Sequence, residues 1–155
     1  MQLRHYQIDG INRVKTELRN GARSVVLVSP TGSGKTVVSA EVMRSAEEKG
    51  SNVLFLAHRI ELIAQTCDKL AMFGLGHKVY APEKDIKMIS HKQLKKFGRS
   101  FIDPFAKIAV GTVQTVSRRL EKITEPNLII IDETHLAIAN TYQKVTSEFP
   151  KARIL

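Results

Sequence analysis

The stretch Ser29-Pro30-Thr31-Gly32-Ser33-Gly34-Lys35-Thr36 carries the most explicit chemistry in the sequence. Gly32 and Gly34 permit backbone angles that turn successive N–H groups inward around a polyphosphate. Lys35 can reach the β- and γ-phosphates of such a ligand, and the Thr36 hydroxyl can ligate magnesium. Pro30, Thr31 and Ser33 complete the loop, and Ser29 stands where the strict pattern has glycine. Far downstream, Asp132-Glu133 follows an apolar run. Asp132 can hold a magnesium ion through its water shell, and Glu133 can orient or deprotonate an attacking water. An acidic pair after a strand is, taken alone, more often a helix N-cap. The upstream glycine-rich loop is what favours the nucleotide role.

Both groups need a scaffold that brings them to one place, and the apolar spacing supplies one. Leu3, Ile11, Val14 and Leu18 fall at near-helical intervals and end at Asn20-Gly21, a helix stop. Residues 24–29 (SVVLVS) form a continuous β-branched run, the pattern of a strand buried on both faces. A helix follows with Val38, Val42 and Ala46 on one face, closing at Lys49-Gly50. Residues 52–57 (NVLFLA) read as a second buried strand. Ile60, Ile63, Ala64, Cys67, Leu70 and Ala71 mark a helix that stops at Phe73-Gly74. A strand is predicted at Ile108 to Thr112, a helix through Val116, Leu120 and Ile123, and a strongly apolar strand over residues 127–132. Strands alternating with helices predict an α/β fold: a mostly parallel sheet with helices on both faces. The carboxyl ends of such strands are where ligands bind, and both acidic pair and phosphate loop fall there.

Composition narrows the setting. The 155 residues include 24 Lys+Arg against 15 Asp+Glu, a net charge of +9. Residues 74–107 contain eight of the basic side chains and only three acids (Glu83, Asp85, Asp103). A basic balance favours an anionic partner, nucleic acid being the commonest, but the 74–107 stretch itself reads first as a solvated, variable surface segment. The single cysteine, Cys67, excludes an internal disulfide and a Cys-rich metal site, and its helix neighbours make it a core residue. No apolar run is long enough to span a bilayer, and the N-terminus has no apolar h-region. A cytoplasmic, intracellular domain with no membrane association is expected.

With these residues in place, a resemblance becomes specific. Asp132-Glu133-Thr134-His135 resembles the DEAD/DEAH signature of superfamily-two helicases and translocases, with Thr134 in place of the usual alanine or cysteine. Leu3-Arg4-His5-Tyr6-Gln7 resembles the N-terminal glutamine motif of that family, which implies that Gln7 reads the adenine edge of ATP with Arg4 beside it. Phe55 through Gln65, written H-R-x-E-L-x-x-Q over its core, is similar to motif Ia; Val110 through Val116 is similar to motif Ib. The resemblance covers nearly the whole chain. It implies a RecA-like motor domain of the phosphate-loop NTPase type, with ATP and Mg2+ as cofactors and nucleic acid as partner. Carried onto this sequence, it implies nucleic-acid contacts from His58, Arg59, Gln65, Thr112, Gln114 and Thr115. It also implies that His135 couples the nucleotide site to later motifs. His58 and Arg59 open a helix, where free N–H donors and positive charge can meet phosphates; a solvated helix start is the alternative.

The motif Ia and Ib forms resemble those of restriction-enzyme motor subunits and DNA-repair translocases, which favours DNA over RNA. An RNA helicase domain, and a nucleotide-binding module or kinase that never meets a polynucleotide, are the alternative readings. Ala152-Arg153-Ile154-Leu155 resembles the strand that leads into motif III of the family. The expectation is therefore of residues 1–155 as a first RecA-like domain, cut before motif III. A second RecA-like domain, with its arginine finger, is expected outside them.

Overall fold

The structure, a computed structural model, describes residues 3–30, 32–132 and 140–155. Among the described residues a five-stranded sheet runs in the order β2-β3-β1-β4-β5. The strands are β1 (Val53–Ala57), β2 (Lys78–Tyr80), β3 (Ile108–Thr112), β4 (Leu128–Ile131) and β5 (Arg153–Ile154). Every pairing is parallel. All residues of β1, β3 and β4 are buried, as expected of parallel strands covered on both faces.

The pleat sends alternate side chains into two cores. Val53, Phe55, Ile108, Val110 and Ile130 enter one core, covered by α1 (His5–Arg19), α2 (Lys35–Glu48), α3 (Ile60–Met72) and α4 (Glu83–Phe97). Leu54, Leu56, Ala109, Ile129 and Ile131 enter the other, covered by α5 (Val113–Ser117) and α6 (Asn140–Glu148). The predicted helix ends hold: Asn20, Lys49 and Phe73 are the C-caps of α1, α2 and α3. Ala152 to Leu155 does contain a strand, β5.

Three expectations need correction. Residues 24–29 are not a strand of the sheet: Ser24 makes an isolated parallel bridge with Ile154, and Val25 N–H donates to the Ile154 carbonyl at 2.9 Å. Among the described residues the segment finds no further strand partner, and Val26 and Val28 are 64% and 88% exposed. The predicted helix through Val116, Leu120 and Ile123 is the short α5 followed by a 3-10 turn at Leu120–Lys122. Residues 74–107, read as a solvated segment, contain a complete β2–α4 unit. Ile89 and Gln93 of α4 are buried and Ile86 is half-buried, a helical repeat overlooked among the lysines.

Buried polar groups hold that unit in place. His77, 0% exposed, hydrogen-bonds through Nδ1 to the Leu75 carbonyl at 3.0 Å and through Nε2 to Gln93 Nε2 at 3.2 Å. With Nδ1 as the donor to a carbonyl, Nε2 is the acceptor for the amide. Gln93 Nε2 also donates to the Cys67 carbonyl, and Gln93 Oε1 accepts from Phe101 N–H at 2.8 Å. Burial holds His77 below the ordinary histidine range, partly offset by the Leu75 carbonyl. Each partner is therefore satisfied only while His77 is neutral.

Candidate functional site

The sheet register sets the order of functional residues along its carboxyl edge. Ala57 pairs with Thr112, so the His58-Arg59 turn after β1 and the start of α5 after β3 lie side by side. On the other flank Leu56 pairs with Ile131, and Asp132 N–H donates to the Leu56 carbonyl at 3.0 Å. Asp132 therefore leaves β4 at the same edge, half-buried. Ile131 N–H donates to the Leu155 carbonyl, and the 24–30 segment runs beyond β5 into the loop that opens α2. Thr31, Glu133, Thr134 and His135 lie outside the described residues.

The loop has the backbone that its sequence requires. Gly32 and Gly34 have φ of +80° and +83°, in the left-handed region that disfavours any side chain. Gly34 is the N-cap of α2 without a side-chain capping bond, so the first N–H groups of α2 open towards the loop. Ser33 N–H donates to the Pro30 carbonyl at 3.2 Å, and the Ser29 and Ser33 hydroxyls hydrogen-bond to each other. The serine at the unexpected first position thus braces the loop from within. Lys35 is exposed and Thr36 half-buried at the first turn of α2.

Gln7 is built into this loop. It is 7% exposed; its Oε1 accepts from the Arg4 N–H at 2.9 Å, and its Nε2 donates to the Ser33 carbonyl at 2.9 Å. A β-carbon at Gly34 would stand 2.6 Å from Gln7 Nε2, so a side chain there would displace the Gln7 amide from the Ser33 carbonyl. Tyr6, which the sequence reading left without a role, donates its hydroxyl to the same Ser33 carbonyl at 2.9 Å. Arg4 caps α1 with its backbone and lies near the Tyr6 hydroxyl. The signal for Tyr6 was its place one residue before Gln7. A cavity of about 350 Å³ opens beside the loop, with Tyr6, Gln7, Ser29 and Pro30 among its walls.

At the β1 and β3 ends, Arg59 is the exposed N-cap of α3 and Gln65 is exposed on its outer side. Thr112 is 8% exposed: its hydroxyl accepts from the Thr115 N–H and donates to the Thr115 hydroxyl, capping α5. Gln114 is exposed and Thr115 half-buried. Gly111 has no room for a side chain, because a β-carbon there would meet Val116 at 2.7 Å and Tyr80 at 2.9 Å. Cys67 is buried in α3, where burial pushes its thiol up to about 12, so it is core as expected. Among the described residues there is no cluster of three or more His, Cys, Asp or Glu able to hold a metal. A magnesium ion in this site would depend on the nucleotide for most of its ligands, the usual situation for that ion. Among the described residues, Thr36 and Asp132 are side chains that could serve it. No helix among the described residues is long and apolar enough to cross a membrane.

Comparisons with known proteins agree with this geometry. The family described as "Type III restriction enzyme, res subunit" matches residues 1–155. The Saccharomyces cerevisiae protein named "Putative ATP-dependent helicase IRC3" is 32% identical over 156 aligned residues, covering 95% of this chain and 21% of that protein. Among solved structures, the UvsW helicase of bacteriophage T4 superposes with a TM-score of 0.72 at 22% identity, over 99% of this chain and 51% of its own. The SWI2/SNF2 ATPase core of Sulfolobus solfataricus, solved with double-stranded DNA, gives 0.67 at 19% identity over 99% of this chain and 30% of its own. These likenesses establish the RecA-like fold. The chain spans about a fifth of the length of the curated relatives it matches first.

Proposed function

Because the chain belongs to the family of the type III restriction enzyme res subunit, we propose that it is the ATP-binding part of a DNA helicase or translocase motor. The observation that carries the proposal is the placement of three groups. Asp132 and the exposed helix start at Arg59 follow the carboxyl ends of β4 and β1, and the phosphate loop opens α2 after the segment that bridges β5. A kinase or a passive nucleotide module needs the loop and the acid and has no use for the helix start.

In this reading the N–H groups of the loop and of the α2 start surround the β- and γ-phosphates, and Lys35 adds a mobile positive charge. Thr36 and Asp132 hold Mg2+, which when bound neutralises charge on the phosphates. Glu133 orients the attacking water. Gln7 has a second amide N–H for the adenine edge while its first grips Ser33, so base recognition and loop position are one event. His135 couples the site to later motifs. His58, Arg59, Gln65, Gln114 and Thr115 contact phosphates of the nucleic-acid strand; Thr112 shapes their platform. DNA is favoured over RNA by the motif forms and by the likeness to the Sulfolobus solfataricus ATPase core solved with double-stranded DNA, and such a motor works inside the cell.

We further propose that these residues act with a second RecA-like domain. An arginine finger contributes roughly a thousandfold or more to phosphoryl transfer, and Arg153 cannot serve as one. It sits at the start of β5, on the opposite edge from the loop, with its guanidinium on the Ala22 carbonyl. The test is steady-state ATPase and Mg-ATP affinity of these 155 residues, with and without oligodeoxythymidine. Nucleotide affinity shifted by the oligonucleotide, with turnover near background, fits the proposal. Affinity indifferent to the oligonucleotide favours the kinase-like reading, and robust DNA-stimulated turnover by a monomer contradicts the need for a second domain.

A further inference from the structure

The amino edge of the sheet, opposite the nucleotide loop, carries an open cleft of about 260 Å³ between α1, α2 and the starts of β4 and β5. Its floor is apolar, from Leu18, Val42, Ala46 and Leu128. Its rim is cationic: Lys15 and Arg19 from α1, Lys49 after α2, and Arg153 from β5. No carboxylate of the described residues lines it. Among the described residues none of these cations forms an ion pair with an acid. The nearest acids of α2 are engaged elsewhere, Glu48 with Arg44 and Glu47 beside Lys107.

Basic residues at helix C-termini have an ordinary explanation, since each terminus carries about half a negative charge. Arg19 lies in the last turn of α1 and Lys49 is the C-cap of α2. Two termini account for about one unit of charge, and the rim presents four, so roughly three positive charges remain uncompensated around an apolar floor. A cationic rim over an apolar floor is complementary to carboxylates flanking an apolar side chain. A phosphate backbone would use the rim and leave the floor empty.

We propose that this cleft is a docking site for an acidic protein segment carrying an apolar anchor residue, in which the anchor fills the floor and its flanking carboxylates pair with the rim. The cleft lies at the other end of the strands from the phosphate loop and the Arg59 turn. A bound partner would therefore leave both accessible, and the chain could be tethered while it holds nucleotide. The proposal is independent of the motor reading.

The test uses fluorescence anisotropy with three labelled probes: a short peptide of glutamates around one leucine, the same peptide with serine for leucine, and an oligodeoxythymidine. The leucine peptide binds, and binding weakens with added salt. Serine for leucine and, separately, the double variant Arg19→Gln/Lys49→Gln each weaken the peptide by about tenfold. Both substituted side chains are exposed, and a circular dichroism melt checks that the fold persists. Oligodeoxythymidine affinity stays unchanged in the variant. No peptide binding, or peptide binding that the double variant leaves intact, overturns the proposal. A loss of oligodeoxythymidine binding equal to the loss of peptide binding overturns it in favour of a phosphate surface.

Discussion

Residues 24–29 (SVVLVS) and 52–57 (NVLFLA) read alike as sequence, yet the structure treats them differently. The second contains β1, the centre of the sheet, paired on both sides, with Phe55 1% exposed. The first turns its alternate residues Val25 and Leu27 towards the core and leaves Val26 and Val28 in solvent. Apolar, β-branched composition states that a segment can be a buried strand. Whether it becomes one depends on the pairing it finds: β1 is paired on both sides, whereas among the described residues the first segment is bridged only at Ser24. The far edge teaches the complementary lesson. There β2 is only three residues long, but α4 and the His77–Gln93 hydrogen bonds cover it.

These three regions predict three sizes of response. At the centre, Phe55→Ala removes a fully buried ring and should cost about 3–5 kcal/mol, read as a lower urea midpoint or as loss of the folded chain. A cost near that of an exposed substitution would break the contrast. At the covered edge, Gln93→Ala leaves Phe101 N–H and His77 Nε2 without partners and should cost about 1–3 kcal/mol in the same measurement.

Acid should act on the same edge, more weakly. The folded chain holds His77 neutral below the ordinary histidine value, whereas the unfolded chain takes up a proton near pH 6.5. Below that pH the unfolded state binds more protons, so stability is complete above about pH 6.5 and falls as the solution is acidified through pH 5. His77→Gln should flatten this slope; an unchanged slope would remove His77 from the explanation. At the open edge, Val28→Lys should change stability by less than about 0.5 kcal/mol.

Much of the site was legible because its constraints are local. The left-handed glycines at 32 and 34, the cation at 35 and the acid ending an apolar run at 132 are each fixed by a few neighbouring residues. What was not legible depended on contacts distant in sequence. The Tyr6 and Gln7 grip on Ser33 joins residues more than 25 positions apart, and no periodicity predicts it. The Thr112 hydroxyl caps α5 by bonding Thr115, a role its motif does not announce. The β2–α4 unit was hidden by its lysines, which occupy the outer face of a helix whose inner face, Ile86, Ile89 and Gln93, is sparse.

Calorimetric titration of Mg-ATP into this chain and into Lys35→Ala tests the central claim most directly. A charge-assisted contact to phosphate contributes about 1.5–3 kcal/mol, so the variant should bind roughly 10- to 100-fold more weakly while its thermal melt is unchanged. Equal affinity in the two proteins, both folded, would contradict the assignment of residues 29–36 as the phosphate loop.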